Sequence, residues 1–133
     1  MSVVVSKRQE SEVQFLENAR KLEVYTFQRT IKMPKRYNHF KIMLERFAIN
    51  IYNYCKIGNS IRLKDEESLV KRNRYFEKAL IELYQYIGQI DILTELKLID
   101  KLKEETMAHW LGLLYDEIEQ IKKIQQSDIR RIK

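Results

Sequence analysis

The chain has 133 residues, 44% hydrophobic and 33% charged, with a formal net charge of +6. This balance excludes a disordered or fibrous chain, and the length is that of a single domain. No segment approaches the roughly 20 consecutive apolar residues of a membrane span, and no signal-peptide core follows residues 3–5. A cytoplasmic protein without a membrane role is therefore predicted. The lone Cys55 cannot form an internal disulfide and is expected to be a buried thiol.

One proline and three glycines leave few breaks between helix-period apolar stripes. The first helix is predicted over residues 11–32, because Pro34 disfavours helical conformation in the residue before it. The second is predicted to begin near Asn38, whose side chain is expected to cap it, and to run toward Gly58.

Asp65 and its two acidic neighbours mark the start of the third helix, which is predicted to end between residues 93 and 98. The fourth is predicted to open at Asp100 and to continue through Ile121. Residues 1–10 and a basic tail over 127–133 are predicted to be mobile. The fold class that follows is all-α, a single antiparallel up-and-down four-helix bundle over residues 1–133.

Two helices carry a second apolar line beside their core-facing line. An exposed apolar strip is a liability on a monomer, so these second lines predict contact with another copy of the chain. A broad interface within one chain is the alternative. The predicted oligomer-interface residues are Val24, Phe27, Ile31, Met107, Leu111 and Ile118.

Positive charge is concentrated in the first half of the chain. Through Tyr75 there are 16 basic and 8 acidic residues, a balance of +8, whereas from Phe76 onward 9 basic and 11 acidic residues give −2. In an up-and-down bundle the second interhelical break and both termini meet at one end. The basic residues predicted there are Lys7, Arg8, Lys56, Arg62, Lys64, Lys71, Arg72, Arg74, Arg130 and Arg131. Lys32, Lys35, Arg36 and Lys41 form a second cluster at the opposite end.

Such fields attract phosphate backbones, and Tyr37, Tyr52 and Tyr75 lie among the charges where they can stack on unpaired bases. RNA or DNA is therefore the leading predicted partner. An acidic protein would satisfy the same field, and a merely solvated surface is the third interpretation. The predicted nucleic-acid contacts are Lys32, Lys35, Arg36, Arg62, Lys64, Lys71, Arg72 and Arg74.

The sequence offers no catalytic residues, metal site or cofactor site. Neither His39 nor His109 follows a glutamate by three residues, as a di-metal bundle site requires. Cys55 has no nearby histidine or helix start that would activate it. Glu117 is the one carboxylate expected to be partly buried, where pairing with a basic neighbour is more common than chemistry. A non-enzymatic protein is predicted.

Residues 23–46, EVYTFQRTIKMPKRYNHFKIMLER, resemble part of a small bacterial four-helix-bundle family. That family includes proteins encoded in ribosomal-RNA intervening sequences and the accessory variability determinant (Avd) of diversity-generating retroelements. The matching turn positions are Lys32, Pro34, Lys35, Arg36 and Tyr37. Residues 54–59 and 109–118 are similar to the family's second-helix end and fourth helix, and the likeness extends over residues 16–122.

This resemblance implies a non-enzymatic homopentamer of four-helix protomers. For the Avd branch it further implies binding to a reverse transcriptase and to its template RNA through a basic surface. An intervening-sequence-type protein or another member of the family is the alternative, since the last two helices have an acidic surplus.

Overall fold

The computed structural model describes residues 3–96 and 104–132, with the side chains of residues 14–96 and 105–132. Four helices make up this part of the chain, and it contains no strand. They are α1 over Val3–Thr30, α2 over Asn38–Ser60, α3 over Glu66–Glu95 and α4 over Glu104–Ile132. A short 3₁₀ turn over Lys35–Tyr37 joins α1 to α2. The predicted all-helical fold with four helices is confirmed.

The residues at the helix starts predicted where α3 begins but gave the wrong cap for α2. α3 begins at the predicted acidic run, and Asp65 caps it: Asp65 accepts from the Ser68 amide at 2.8 Å, while its own amide donates to Ser68 Oγ at 2.9 Å. α2 begins at Asn38, as predicted, but the predicted cap was wrong, because Asn38 is already the first helical residue and Tyr37 precedes it without a side-chain cap. The 3₁₀ turn after Pro34 supplies the entry into α2 instead, through a hydrogen bond from the Tyr37 amide to the Pro34 carbonyl.

The predicted bounds of the outer helices change at both ends of the chain. α1 begins at Val3, so most of the predicted N-terminal segment 1–10 belongs to it. α4 continues to Ile132, so the predicted tail over 127–133 is helical almost to its end. Asp100, the predicted start of the fourth helix, lies outside the described residues. The mobility of both termini stays a prediction.

The core lies between all four helices. α1 packs against α2 and α4, and α3 also packs against α2 and α4. Arg72, early in α3, meets Asp128, late in α4, whereas Tyr86, late in α3, meets Trp110, early in α4. The largest fully buried side chains are Trp110, Tyr86, Phe15, Phe76, Leu22, Leu44, Ile51, Leu83, Ile90, Leu93, Leu114 and Ile121.

A chain of hydrogen bonds crosses this core. Trp110 Nε1 donates to Tyr86 Oη at 2.8 Å, and Tyr86 Oη lies 2.5 Å from Thr26 Oγ1. Thr26 Oγ1 in turn bonds the Leu22 carbonyl at 2.8 Å. These polar groups are buried but satisfied, and they tie α1, α3 and α4 together at one height in the bundle.

Candidate nucleic-acid interface

Arg72 organises the junction between α2, α3 and α4. Its Nε donates to Asp128 Oδ2 at 2.7 Å, and its Nη2 donates to Asp128 Oδ1 at 3.2 Å. Its Nη1 lies 3.3–3.4 Å from the carbonyl oxygens of Gly58, Asn59 and Ile61 at the end of α2. The guanidinium therefore neutralises a buried carboxylate and also donates to carbonyls at the C-terminus of α2 and just beyond it.

The prediction that Arg72 contacts phosphate was wrong. Arg72 is only 3% exposed, because it lies one helical turn from the buried Ser68 and from the buried Phe76, on the core side of α3. Charge and position in the sequence could not reveal this. The partner that draws the side chain inward, Asp128, lies 56 residues further along the chain.

The other predicted nucleic-acid contacts of this end are exposed: Arg62, Lys64, Lys71 and Arg74. Arg62 and Lys64 lie in the α2–α3 connection that Arg72 holds, while Lys71 and Arg74 lie on the first turns of α3. Lys71 Nζ is 3.4 Å from a Glu67 carboxylate oxygen in an exposed pair. Arg130 is also exposed, on the last turn of α4. The side chains of Lys7 and Arg8 lie outside the described part.

The second predicted cluster is far from the first. Lys32, Lys35 and Arg36 are exposed around the α1–α2 turn, and Arg36 lies over the Tyr37 ring at 4.9 Å from its centroid. α2 separates this turn from the α2–α3 connection by its 23 residues, which correspond to about 35 Å of helix. The two clusters are therefore distinct surfaces.

One lysine that sequence reasoning missed joins α3 to α2. Lys78 Nζ lies 5.7 Å from the Tyr54 ring centroid and 5.3 Å from that of Tyr75, and the two rings are 6.4 Å apart. A usable signal was the spacing of Lys71, Arg74 and Lys78, which places three cations along one side of α3. We call the surface formed by Tyr54, Lys71, Arg74, Tyr75 and Lys78 the α2–α3 face.

An apolar surface lies elsewhere, on the outer side of α1. Val24, Phe27 and Ile31 are 44%, 42% and 75% exposed. With Ile49 of α2 they line a surface hollow of about 900 Å³. These three residues are the α1 half of the predicted oligomer interface, and the structure leaves them open.

The α4 residues of the predicted oligomer interface are less exposed than the α1 residues. Ile118 is buried at 6% exposure, so its assignment to an outer interface was wrong. It lies one turn from Leu114 and from Ile121, and that spacing turns it into the core. Met107 and Leu111 are half-buried and pack against the same core.

Glu117 lies fully inside the bundle, so the expectation of a partly buried carboxylate with a basic neighbour was wrong. Neither of its carboxylate oxygens has a hydrogen-bond partner within the described residues. Burial raises the pKa of the Glu117 carboxyl well above its usual range. Burial also raises the pKa of the Cys55 thiol, and the Glu117 carboxyl adds to that rise. A thiol held protonated in this way is a poor nucleophile.

Two further properties concern the described residues alone. Within ranges 3–96 and 104–132, no three of the His, Cys, Asp and Glu side chains gather as a metal site would require. None of the described helices combines the length and apolarity needed to cross a bilayer.

Comparison with known proteins returned no matching family model, no matching curated protein and no matching solved structure.

Proposed function

We propose that this protein is a non-catalytic, oligomeric accessory protein that binds RNA or DNA through its basic end. The observation that carries the proposal is the exposure of Arg62, Lys64, Lys71 and Arg74 on two segments that Arg72 brings together. Their charges face solvent, whereas that of Arg72 is neutralised inside. Such a cluster of fixed cations attracts a phosphate backbone without regard to base sequence.

The proposed topology is an antiparallel up-and-down bundle. The contacts Arg72–Asp128 and Tyr86–Trp110 support opposite directions for α3 and α4. The hydrogen bond from Thr30 to Glu45, at 2.6 Å, supports the same for α1 and α2. In that topology Arg130 joins the basic end from α4, and the positive field extends over three elements.

Self-association is the second part of the proposal. The exposed Val24, Phe27 and Ile31 surface supports a contact with another copy, because water-exposed apolar strips of this kind favour association. The resemblance to the Avd family suggests a homopentamer. By the same resemblance, the partners proposed for the basic end are a reverse transcriptase and its template RNA in a diversity-generating retroelement.

The test is a salt titration of binding by the intact protein. A structured RNA and a duplex DNA of matched length are titrated from about 50 to 200 mM salt, with the molecular mass recorded by light scattering. Lys71→Gln/Arg74→Gln removes two exposed cations and is expected to lower the salt slope for duplex DNA by up to about two. A matched control, Lys122→Gln/Lys123→Gln, removes the same charge from exposed positions of α4 and should leave the slope close to wild type.

Equal slopes for the two variants would show that the basic end is not the contact surface. Absence of binding at the lowest salt would overturn the nucleic-acid proposal as a whole. A monomeric mass at micromolar concentration would overturn self-association. Phe27→Gln should lower the mass if the apolar α1 surface is the interface.

A protein-interaction scaffold without a nucleic-acid role is the second candidate function. The hollow of about 900 Å³ beside Phe27 and Ile49 favours it, since an apolar recess suits a partner side chain or helix. Failure of nucleic-acid binding, together with a monomeric mass, would favour this candidate over the first.

A further inference from the structure

The α2–α3 face combines two partly buried aromatic rings with three exposed cations. Tyr54 packs against the hydrophobic core while staying partly exposed, and Tyr75 is half-buried beside it. Because both rings are partly buried and lie 6.4 Å from each other, a ligand that stacks on them loses little side-chain entropy in ordering them.

Lys78 links the rings to the charges. Its ammonium group lies within 6 Å of both ring centroids, which is cation–π distance. Lys71 and Arg74 precede it on α3, and the interval from Lys71 to Lys78 corresponds to about 10 Å of helix. That length equals the rise of roughly three stacked nucleotides of one strand.

Acidic and amide groups bound the face on either side. Glu67 pairs with Lys71 on the first turn of α3. At the other limit, Asn50 of α2 donates to Glu82 of α3 at 3.4 Å, four residues beyond Lys78. The positive and aromatic surface is thus short, and its charge complements a few phosphates.

We propose that the α2–α3 face binds single-stranded nucleic acid, with Tyr54 and Tyr75 stacking on unpaired bases while Lys71, Arg74 and Lys78 contact the adjoining phosphates. Stacking requires a base face that a duplex keeps inside its own helix, so a duplex can use only the cations. This inference rests on the proposed nucleic-acid function and gives it a ligand class.

The experiment compares a labelled 12-nucleotide oligothymidylate with a 12-base-pair duplex at one moderate salt concentration. Tyr54→Leu/Tyr75→Leu is expected to weaken single-strand binding about tenfold or more and to change duplex binding less than twofold. Tyr54→Phe/Tyr75→Phe keeps the rings and should bind nearly as wild type does. Tyr75→Trp should show fluorescence quenching on adding the oligothymidylate, which reports stacking even if the leucine variant folds poorly.

Tyr84→Leu is the matched control, because Tyr84 is an exposed α3 tyrosine with its own lysine, Lys122, at 5.9 Å from the ring centroid. It should bind both probes like the wild type. An equal loss for Tyr54→Leu/Tyr75→Leu and Tyr84→Leu, or an equal loss for both probes, would overturn the stacking site while leaving charge-driven binding intact. Competition by polyglutamate as effective as that by unlabelled oligothymidylate would also overturn it, since an acidic protein would then serve equally well. No binding of either probe by the wild type would instead refute the proposed function.

Discussion

The basic end and the middle of the bundle hold buried ionisable groups in opposite ways. At the basic end, Arg72 and Asp128 are both almost inaccessible, and each charge has its partner within 2.7 Å. In the middle, Glu117 is just as buried, yet neither of its oxygens is bonded within the described residues. The first arrangement keeps two charges inside the protein, whereas the second favours a neutral acid.

The difference shows that burial alone does not determine the role of an ionisable side chain. Arg72 also bonds carbonyls at the end of α2, so its removal would take a donor away from acceptors on both α2 and α4. The carboxylate of Glu117 makes no hydrogen bond to the described residues. Substitutions at the two places should therefore change stability in opposite directions.

The largest expected effect is the loss of one member of the buried pair. Asp128→Ala leaves the Arg72 charge buried without its carboxylate, and the free energy of unfolding should fall by about 3–5 kcal/mol. Urea denaturation followed by circular dichroism measures it. The double variant Arg72→Met/Asp128→Leu removes both charges and should recover part of that loss, because the carbonyls at the end of α2 still lack the Arg72 donor. A decrease below about 1 kcal/mol for Asp128→Ala would show that the pair does not hold this end together.

Replacing the unpaired acid should stabilise the protein. At pH 7, Glu117→Met is expected to raise the free energy of unfolding by about 1–3 kcal/mol, because it removes unsatisfied buried polar atoms. The raised pKa makes the folded protein keep a proton that the unfolded chain releases, so wild-type stability should fall as pH rises above the ordinary range of a glutamate. The advantage of Glu117→Met should therefore grow from pH 4 to pH 8.

Glu117→Gln separates charge from polarity in that experiment. It cannot titrate, so its stability relative to wild type should show the same pH trend, but its buried amide should give a smaller gain than methionine. A pH-independent difference for both variants would argue that Glu117 is ionised in the folded protein.

The next-largest change in stability is expected where the chain is closely packed beside the Arg72–Asp128 pair. A Cβ at Gly58 would lie 2.6 Å from Cε1 of the buried Phe76 ring, so Gly58→Ala should destabilise the protein by about 1–3 kcal/mol. Gly88 is the control, because a Cβ there meets nothing within 4 Å. Gly88→Ala should raise stability by about 0.5–1 kcal/mol through helix propensity. Thermal unfolding of both variants measures the contrast, and changes of equal sign would contradict it.

The smallest effect belongs to the exposed ion pair at the same end. Glu67 and Lys71 are far more exposed than Arg72 and Asp128, so Glu67→Gln should lower stability by only about 0.3–0.5 kcal/mol. Under the proposed function the same variant should bind oligothymidylate more tightly, since Lys71 loses its competitor for phosphate. Weaker binding would place Glu67 among the ligand contacts instead.

Short-range patterns identified much of the fold and part of the candidate site. The acidic run over Asp65, Glu66 and Glu67 indicated the start of α3, and Pro34 indicated the first break. The second apolar line of α1 led to Val24, Phe27 and Ile31, which are exposed. The cations at Arg62 and Lys64 were also recognisable from composition alone. In each case the signal depends on residues within a few helical turns.

Positions that depend on another helix were misjudged. Arg72 was counted with the exposed cations, yet its environment is set by Asp128 of α4 and by the end of α2. Lys78 contacts two aromatic rings only because Tyr54 of α2 lies beside Tyr75 of α3, and the sequence of α3 alone does not show this. Glu117 was expected to be only partly buried and Ile118 to lie in an outer interface, yet both are buried in the core.

The sequence by itself determined four amphipathic helices, because helix-period apolar stripes and scarce turn residues act locally along the chain. The tertiary structure decided which charges are available to a ligand. The arginine Arg72, on the core side of α3, is buried because α4 supplies the carboxylate of Asp128. The residues close to Arg72 or to Asp128 in the sequence do not reveal that pairing.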